Sequence, residues 1–92
     1  MATLCFEVHM KKDFESWKKI FDEHAPERAK TCDESKTTVG KVSDKLAVVM
    51  VYNVDMEKMG AMVEDPEFKK MVEPLVEKHV IYTCAPLGPP PS

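Results

Sequence analysis

The stretch Leu46-Ala-Val-Val-Met-Val-Tyr52 decides the fold of this chain, because every one of its positions is apolar or aromatic. Successive side chains of a β-strand point to opposite faces of the sheet. The even-numbered residues of the stretch therefore lie on one face and the odd-numbered residues on the other, and both faces are apolar. A strand of this kind requires cover on both sides. We predict that it lies at the centre of a sheet, with helices on one face and a second protein surface on the other.

Size and composition are those of one soluble domain. The chain has 92 residues, of which 43% are hydrophobic and 32% charged, and its net charge is −3. We predict a single domain over residues 1–85 and a Pro-rich tail over 86–92 that forms neither helix nor strand. Interleaved acidic and basic residues disfavour nucleic acid as a partner. No apolar run approaches the ~20 residues that span a bilayer, and no signal-peptide pattern is present. A cytoplasmic location without a membrane partner is expected.

Strand and helix patterns alternate along the rest of the chain. Asp13, Asp55 and Asp65 precede apolar residues at helical spacing, and aspartate is a good N-cap. Pro74 lies inside the last helical stretch and should kink or restart the helix. The predicted elements are a strand over 3–10, a helix over 14–24 with a further turn over 26–32, strands over 37–42 and 46–52, a helix over 56–76 that restarts at 65–66, and a strand over 79–84.

This order predicts a ferredoxin-like βαββαβ fold of the α+β class with a four-stranded antiparallel sheet. Right-handed crossovers place the first and third strands at the centre and both helical segments on one face. The opposite face would leave several valines in water, at ~25 cal/mol per Å² of apolar surface. A second copy of the chain is the simplest cover, and the product is a dimeric α+β barrel. The alternatives are a different protein or a lipid-like ligand on that face.

One segment resembles a known family. The segment Asp13-Phe-Glu-Ser-Trp-Lys-Lys-Ile-Phe-Asp-Glu-His-Ala-Pro-Glu-Arg28 is similar to the first helix of the antibiotic-biosynthesis monooxygenase-like, dimeric α+β barrel superfamily. The later segment Asp65-Pro-Glu-Phe-Lys-Lys-Met71 is similar to the start of that superfamily's second helix. The resemblance implies a homodimer with a ligand cavity between sheet and helices in each subunit. It also implies small-molecule chemistry, such as cofactor-independent oxygenation of aromatic polyketides, cyclisation or haem degradation.

His24 is the leading candidate for a catalytic group. Its spacing from Trp17 places it on the buried face of the first helix, where an imidazole can exchange a proton with a ligand near neutral pH. Alternatively, His24 caps the end of its own helix, where the helix dipole favours a cation. Arg28 also has two interpretations. It stabilises negative charge on a ligand, or it pairs with an acidic neighbour such as Glu23 or Glu27.

Several other side chains are candidates for contacting a ligand. Trp17 could stack on an aromatic ligand, although a lone tryptophan at an apolar position is typical of a core, and Phe21 shares its stripe. Tyr52 and Asn53 lie at the end of the central strand, where the resembled superfamily has polar groups in its pocket, and Tyr82 on the last strand has the same status.

Five methionines could line an adaptable cavity for a hydrophobic ligand, or they could fill a loosely specified core. These are Met50, Met56, Met59, Met62 and Met71.

Metal and cofactor sites are not predicted. Cys5, Glu7 and His9 share one face of the first strand, but they supply too few ligands for a metal, and His79 stands apart near the start of the last strand. Glu7 and His9 are instead expected to form a polar contact across the dimer. With only three glycines and no Gly-rich loop, dinucleotide binding is not expected.

The three cysteines, Cys5, Cys32 and Cys84, are too few to pair completely and have no Cys-x-x-Cys spacing. We predict reduced thiols in a reducing compartment. A bridge between Cys5 and Cys84 is the alternative if the first and last strands are neighbours.

Two hypotheses for function follow. The first is a cofactor-independent enzyme of the monooxygenase or cyclase type that acts on a small aromatic or polyketide-like molecule. The second is a non-catalytic binding or interaction module of the same fold. A cavity of roughly 300 Å³ or more that touches His24 favours the enzyme. A cavity that is packed shut favours the module.

Overall fold

The chain folds as a βαββαβ unit in which each helical segment is divided in two. The computed structural model describes residues 2–85, and the predicted tail lies outside the described residues. The elements are β1 (Ala2–Met10), α1 (Phe14–Glu23), α2 (Ala25–Arg28), a 3-10 turn (Glu34–Lys36), β2 (Thr38–Ser43), β3 (Leu46–Val54), α3 (Met56–Glu64), α4 (Pro66–Val72) and β4 (Val76–Cys84).

The four strands form one antiparallel sheet in the order β2-β3-β1-β4. β1 and β3 are central, as the two apolar faces of β3 predict. A turn at Asp44 and Lys45 joins β2 to β3 as a hairpin. The predicted ferredoxin-like fold is confirmed.

Aspartate caps begin three of the four helices. The carboxylate of Asp13 accepts a hydrogen bond from the backbone N–H of Ser16 at 3.1 Å, and that of Asp55 accepts one from Lys58 at 3.2 Å. Asp65 caps α4, where Pro66 takes the first helical position. These local signals act through neighbouring residues, so the helix starts agree with the sequence.

The end of the second helical segment differs from its prediction. The helical spacing predicts a helix up to Val76 and a strand from His79. In the structure α4 ends at Val72 and β4 already begins at Val76. Pro74 has no N–H to donate to a helical carbonyl, so the chain turns there, and the backbone N–H of Leu75 donates to the Val72 carbonyl at 2.9 Å. The apolar residues 75–76 belong to the core as turn and strand residues.

The core lies between the helices and one face of the sheet, called here the helix face. Ala47, Val49 and Val51 of β3 are buried on it, and Ala47 is fully inaccessible. The alternate residues of β3 are only half-buried and lie on the opposite face, called here the back face. The two faces of the same strand therefore differ in cover, although both are apolar in sequence.

Candidate functional site

A cavity of about 230 Å³ lies between the helix face of the sheet and the helices. Its floor is formed by residues of β1, β3 and β4, and its roof by residues of α1, α3 and α4. Most of its wall is apolar. Seven residues that the sequence predicted for a pocket contact the cavity: Trp17, Phe21, His24, Arg28, Met59, Met62 and Met71.

The inner stripe of α1 brings Trp17, Phe21 and His24 to the same wall. Residues three or four positions apart lie on one side of a helix, so these side chains point together toward the sheet. The rings of Trp17 and Phe21 have centroids 4.9 Å apart, and Trp17 is also 5.7 Å from Phe14. Trp17 is only 5% exposed, so it belongs to the core as well as to the cavity wall.

His24 lies at the junction of α1 and α2. Its backbone N–H donates to the Ile20 carbonyl, and its own carbonyl accepts from Arg28. The backbone of His24 thus ends the helix, whereas the imidazole, which one interpretation expected at the cap, contacts the cavity and packs 5.4 Å from the ring of Phe68. Burial lowers the pKa of His24, and the positive charge of Arg28 lowers it further, whereas Glu27 and Glu34 act in the opposite direction. The neutral imidazole is therefore favoured near pH 7.

Arg28 is buried, with only 6% of its surface exposed. Its Nε and Nη2 donate to the carboxylate of Glu34 at 2.6–3.0 Å, and its Nη1 donates to the Phe21 carbonyl at 2.9 Å. The guanidinium also stacks 3.6 Å from the centroid of the Phe21 ring. Arg28 thus pairs with an acidic side chain, as one interpretation predicted, but the partner is Glu34 instead of Glu23 or Glu27, because the chain after α2 folds back. The charge of Arg28 at the cavity is therefore already compensated.

Several residues of the cavity wall were not predicted as pocket residues, and His79 and Phe68 are among them. His79 lies on β4 opposite Val8 of β1, and this register turns its side chain to the helix face. Its ring packs edge-on to Phe6 with centroids 6.3 Å apart, and burial lowers its pKa. The signal that could have found it is the alternation of His79 with Ile81, which also contacts the cavity.

Tyr52, Asn53 and Tyr82 do not reach this cavity. Tyr82 lies opposite Cys5 on the back face, and Tyr52 alternates with the buried residues of β3. Asn53 is exposed and has a positive φ of 54° at the end of β3. Strand alternation therefore separates Tyr52 and Tyr82 from His24. Asn53 is kept out of the cavity by the irregular register between β1 and the end of β3.

On the back face, Glu7 connects two other polar side chains. The Tyr82 hydroxyl donates to Glu7 Oε2 at 2.8 Å, and His9 Nε2 lies 3.1 Å from Glu7 Oε1. The Tyr82 hydrogen bond, followed by the one from His9, lowers the pKa of Glu7. Glu7 and His9 thus already contact each other within one subunit.

The three cysteines are free thiols. β1 and β4 are neighbours, as the bridged alternative requires, but Cys5 lies opposite Tyr82 and Cys84 lies opposite Thr3. Residues 2–85 contain no group of three or more histidine, cysteine, aspartate or glutamate side chains that could hold a metal ion. In the same part of the chain, no helix has the length and apolar character needed to cross a bilayer.

Sequence comparison finds no matching family profile and no matching curated protein. Solved structures do match. The cofactor-independent oxygenase SnoaB from Streptomyces nogalater superposes with a TM-score of 0.68 at 13% identity, covering 97% of each chain. PA3566 from Pseudomonas aeruginosa gives 0.66 at 16% identity, covering 95% of this chain and 94% of that one. A DABB family protein with a ferredoxin-like fold from Mesorhizobium loti gives 0.52 at 14% identity, covering 96% and 100%.

The fold therefore defines a ferredoxin-like α+β protein. The predicted fold is confirmed by these matches, which share the four-stranded α+β arrangement over nearly the whole chain. At such low identities the matches carry the fold and not a reaction.

Proposed function

We propose that this protein binds a small apolar or aromatic molecule in the cavity between its helices and sheet, and that it does so as a homodimer. The observation that carries the proposal is the cavity itself, which is apolar over most of its wall and contacts Trp17, His24 and Met59. Its 230 Å³ is below the roughly 300–1,000 Å³ of typical ligand pockets. It exceeds the roughly 150 Å³ that holds benzene. A molecule of one or two rings is the size that suits it.

The homodimer is supported by the back face. Val48 and Met50 of β3 are half-buried there, and Tyr82 of β4 is 47% exposed. Face-to-face packing of two such sheets would remove this apolar surface from water. Sedimentation at micromolar concentration is expected to show a dimer. A stable, folded single subunit would contradict this part of the proposal.

The binding function is tested by filling the cavity. Val63 of α3 contacts the cavity, and Val63→Phe adds a ring to that space. The control is Val42→Phe, because Val42 is 61% exposed on β2. Trp17 is the only tryptophan, so its fluorescence reports binding of small aromatic molecules such as naphthalene derivatives. We expect Val63→Phe to weaken binding by about tenfold or more, since one lost ring contact costs more than 1.4 kcal/mol. Equal binding by the two variants would argue against this cavity.

A second candidate is a cofactor-independent oxygenase. Two observations favour it, namely the neutral imidazole of His24 at the cavity and the similarity in fold to SnoaB. In this reaction His24 would accept a proton from an acidic C–H or phenolic O–H of the ligand, and dioxygen would be the oxidant. The cavity is smaller than the roughly 300 Å³ that favours the enzyme hypothesis, so binding is proposed first.

The oxygenase candidate is tested with His24→Ala. We expect this variant to lose turnover of an aromatic substrate while it keeps the dimer and binds the substrate within a few-fold of the unmodified protein. Oxygen consumption and sedimentation are the two measurements. Unchanged turnover would remove His24 from the mechanism.

A further inference from the structure

The ionisable side chains that contact the cavity are all basic. They are His24, Arg28, Lys69 and His79. Among the described residues, no acidic side chain contacts the cavity, although acidic residues outnumber lysine and arginine, 16 to 13, in the whole chain. Protonated or neutral, these groups offer N–H donors to a ligand. The polar part of the wall therefore suits a ligand that supplies acceptors.

The four basic groups differ in whether an acidic side chain already pairs with them. Arg28 is bonded to Glu34, and Lys69 Nζ lies 3.1 Å from Glu64 Oε2 in an exposed pair. His24 packs against the ring of Phe68, and His79 against that of Phe6. The two imidazoles thus approach the cavity from α1 and β4 with aromatic rings beside them. A ligand group that forms a charge-assisted hydrogen bond to either imidazole would gain more there than in water.

We infer that the ligand is an amphipathic carboxylate, with an apolar body of one or two rings and a carboxylate group that His24, His79 or both bind. The inference rests on the proposed function, since it names the chemical class of the molecule in the same cavity. The apolar body would pack against Trp17 and the floor of the sheet. The carboxylate would accept hydrogen bonds from the imidazoles, whereas a cationic amine would find no acidic side chain in the described wall to pair with.

Binding of a carboxylate should also be accompanied by protonation of a cavity histidine. Burial lowers the pKa of both imidazoles, and the charge of Arg28 lowers that of His24 further, while Glu27 and Glu34 oppose this. A bound anion favours the protonated imidazole, so it raises the pKa of the histidine it contacts. Affinity should therefore increase as the pH falls from 8 toward about 6, as long as the carboxylate stays ionised.

Calorimetry with three probes of one shape tests the inference: naphthoate, naphthamide and naphthylmethylamine. We expect naphthoate to bind about tenfold more tightly than naphthamide at pH 6.5, because hydrogen bonds to a charged partner are roughly twice as strong as neutral ones. The amine should bind most weakly. If all three bind equally, or the amine binds best, the inference is overturned while the proposed function stands. If none binds, the proposed function fails, and the inference fails with it.

Variants test whether the preference for naphthoate over naphthamide depends on the two cavity histidines. In the double variant His24→Gln/His79→Gln, the affinities for naphthoate and naphthamide should come within about twofold of each other, since glutamine donates hydrogen bonds but does not protonate. The matched control is Lys70→Gln, since Lys70 is exposed and lies outside the cavity, next to Lys69. An undiminished preference for naphthoate in the double variant would contradict the inference.

Nuclear magnetic resonance gives a readout that does not depend on variants. The chain has three histidines, and His9 lies on the back face, away from the cavity. On addition of naphthoate, the pKa of His24, of His79 or of both should rise, while the ring signals of His9 stay unchanged and serve as the internal reference. No rise at either cavity histidine would overturn the assignment of the carboxylate to these imidazoles.

Discussion

The helix face and the back face of the sheet share the same strands but differ in cover and in polar groups. On β3 the helix face buries Ala47 and Val51 almost completely, whereas Val48 and Met50 on the back face remain half-buried. The β3 residues of the helix face are thus covered within a single subunit. The other face has equally apolar side chains without a covering layer. This difference indicates that apolar sequence alone does not say what covers a surface.

The polar groups of the two faces differ as well. The helix face has only basic ionisable groups at its cavity, and His24 and His79 are the two whose pKa burial lowers. The back face instead carries Glu7, whose carboxylate accepts hydrogen bonds from Tyr82 and His9. The first arrangement suits an anionic small molecule. The polar side chains of the second arrangement are already hydrogen-bonded within the subunit, so they can be buried against another protein surface at small cost.

A matched pair of charge insertions on β3 should produce the largest contrast between the faces. Val51→Asp places a carboxylate in the core, where only 2% of Val51 is exposed. Burying an unpaired charge costs several kcal/mol, a large part of the about 5–15 kcal/mol that stabilises a domain. We expect Val51→Asp to be unfolded by circular dichroism.

Val48→Asp carries the same change on the back face. It should keep a native spectrum and sediment as a monomer, since it places a charge on the apolar surface that the proposed homodimer would bury. A dimeric Val48→Asp variant would show that the interface lies elsewhere.

A smaller effect is expected from Arg28→Ala, which removes the buried ion pair beside the cavity. Glu34 loses its partner, and Phe21 loses the guanidinium that stacks on its ring. Breaking one side of a buried pair typically costs about 3–5 kcal/mol. Chemical denaturation should show this loss in the free energy of unfolding.

Lys30→Ala is the control for that measurement. It breaks the exposed pair with Glu27, which should change stability by less than about 0.5 kcal/mol. Equal effects of the two variants would mean that the Arg28 pair contributes no more than a surface contact.

The smallest expected effect concerns the back face. The Tyr82 hydroxyl is the largest cause of the lowered pKa of Glu7, so Tyr82→Phe should raise that pKa toward its ordinary value. A carboxylate with a lowered pKa in the folded state stabilises the fold above its unfolded pKa, and this stabilisation is lost as the pH falls through the folded value. As the pH falls below about 4.5, the variant should therefore lose less stability than the unmodified protein.

The measurement is a carbon-detected titration of the Glu7 carboxyl group. Tyr52→Phe is the control, because Tyr52 is also on the back face and does not take part in the Glu7 contact. A Glu7 titration that is the same in both variants would show that the hydroxyl does not hold this carboxylate.

Much of the architecture was predictable from the sequence. The strand order, the central position of β3 and the helix starts at Asp13, Asp55 and Asp65 agree with the structure. The elements and helix starts depend on residues close together in the chain: an alternating pattern, a cap or a proline. The strand order follows from these elements and the right-handed crossovers between them. The helical stripe also brought Trp17 and His24 to the cavity as expected.

The site was only partly predictable. Glu34 as the partner of Arg28 depends on how the chain folds back after α2. His79 faces the cavity because β4 pairs with β1 in a register that sets it opposite Val8, and a shift by one residue would turn it to the other face. The boundary at Val76 moved for a similar reason, since strand pairing outweighed a helical pattern already weakened by Pro74.

Local sequence thus specified which segments become strands and helices and which strand must be covered twice, because periodicity, caps and prolines act within a few residues. The gathering of His24, Lys69 and His79 around one apolar cavity, and the placement of Tyr82 beside Glu7, were decided by the tertiary structure. Those neighbours are far apart in the chain, and only the pairing register and the packing of helices on the sheet bring them together.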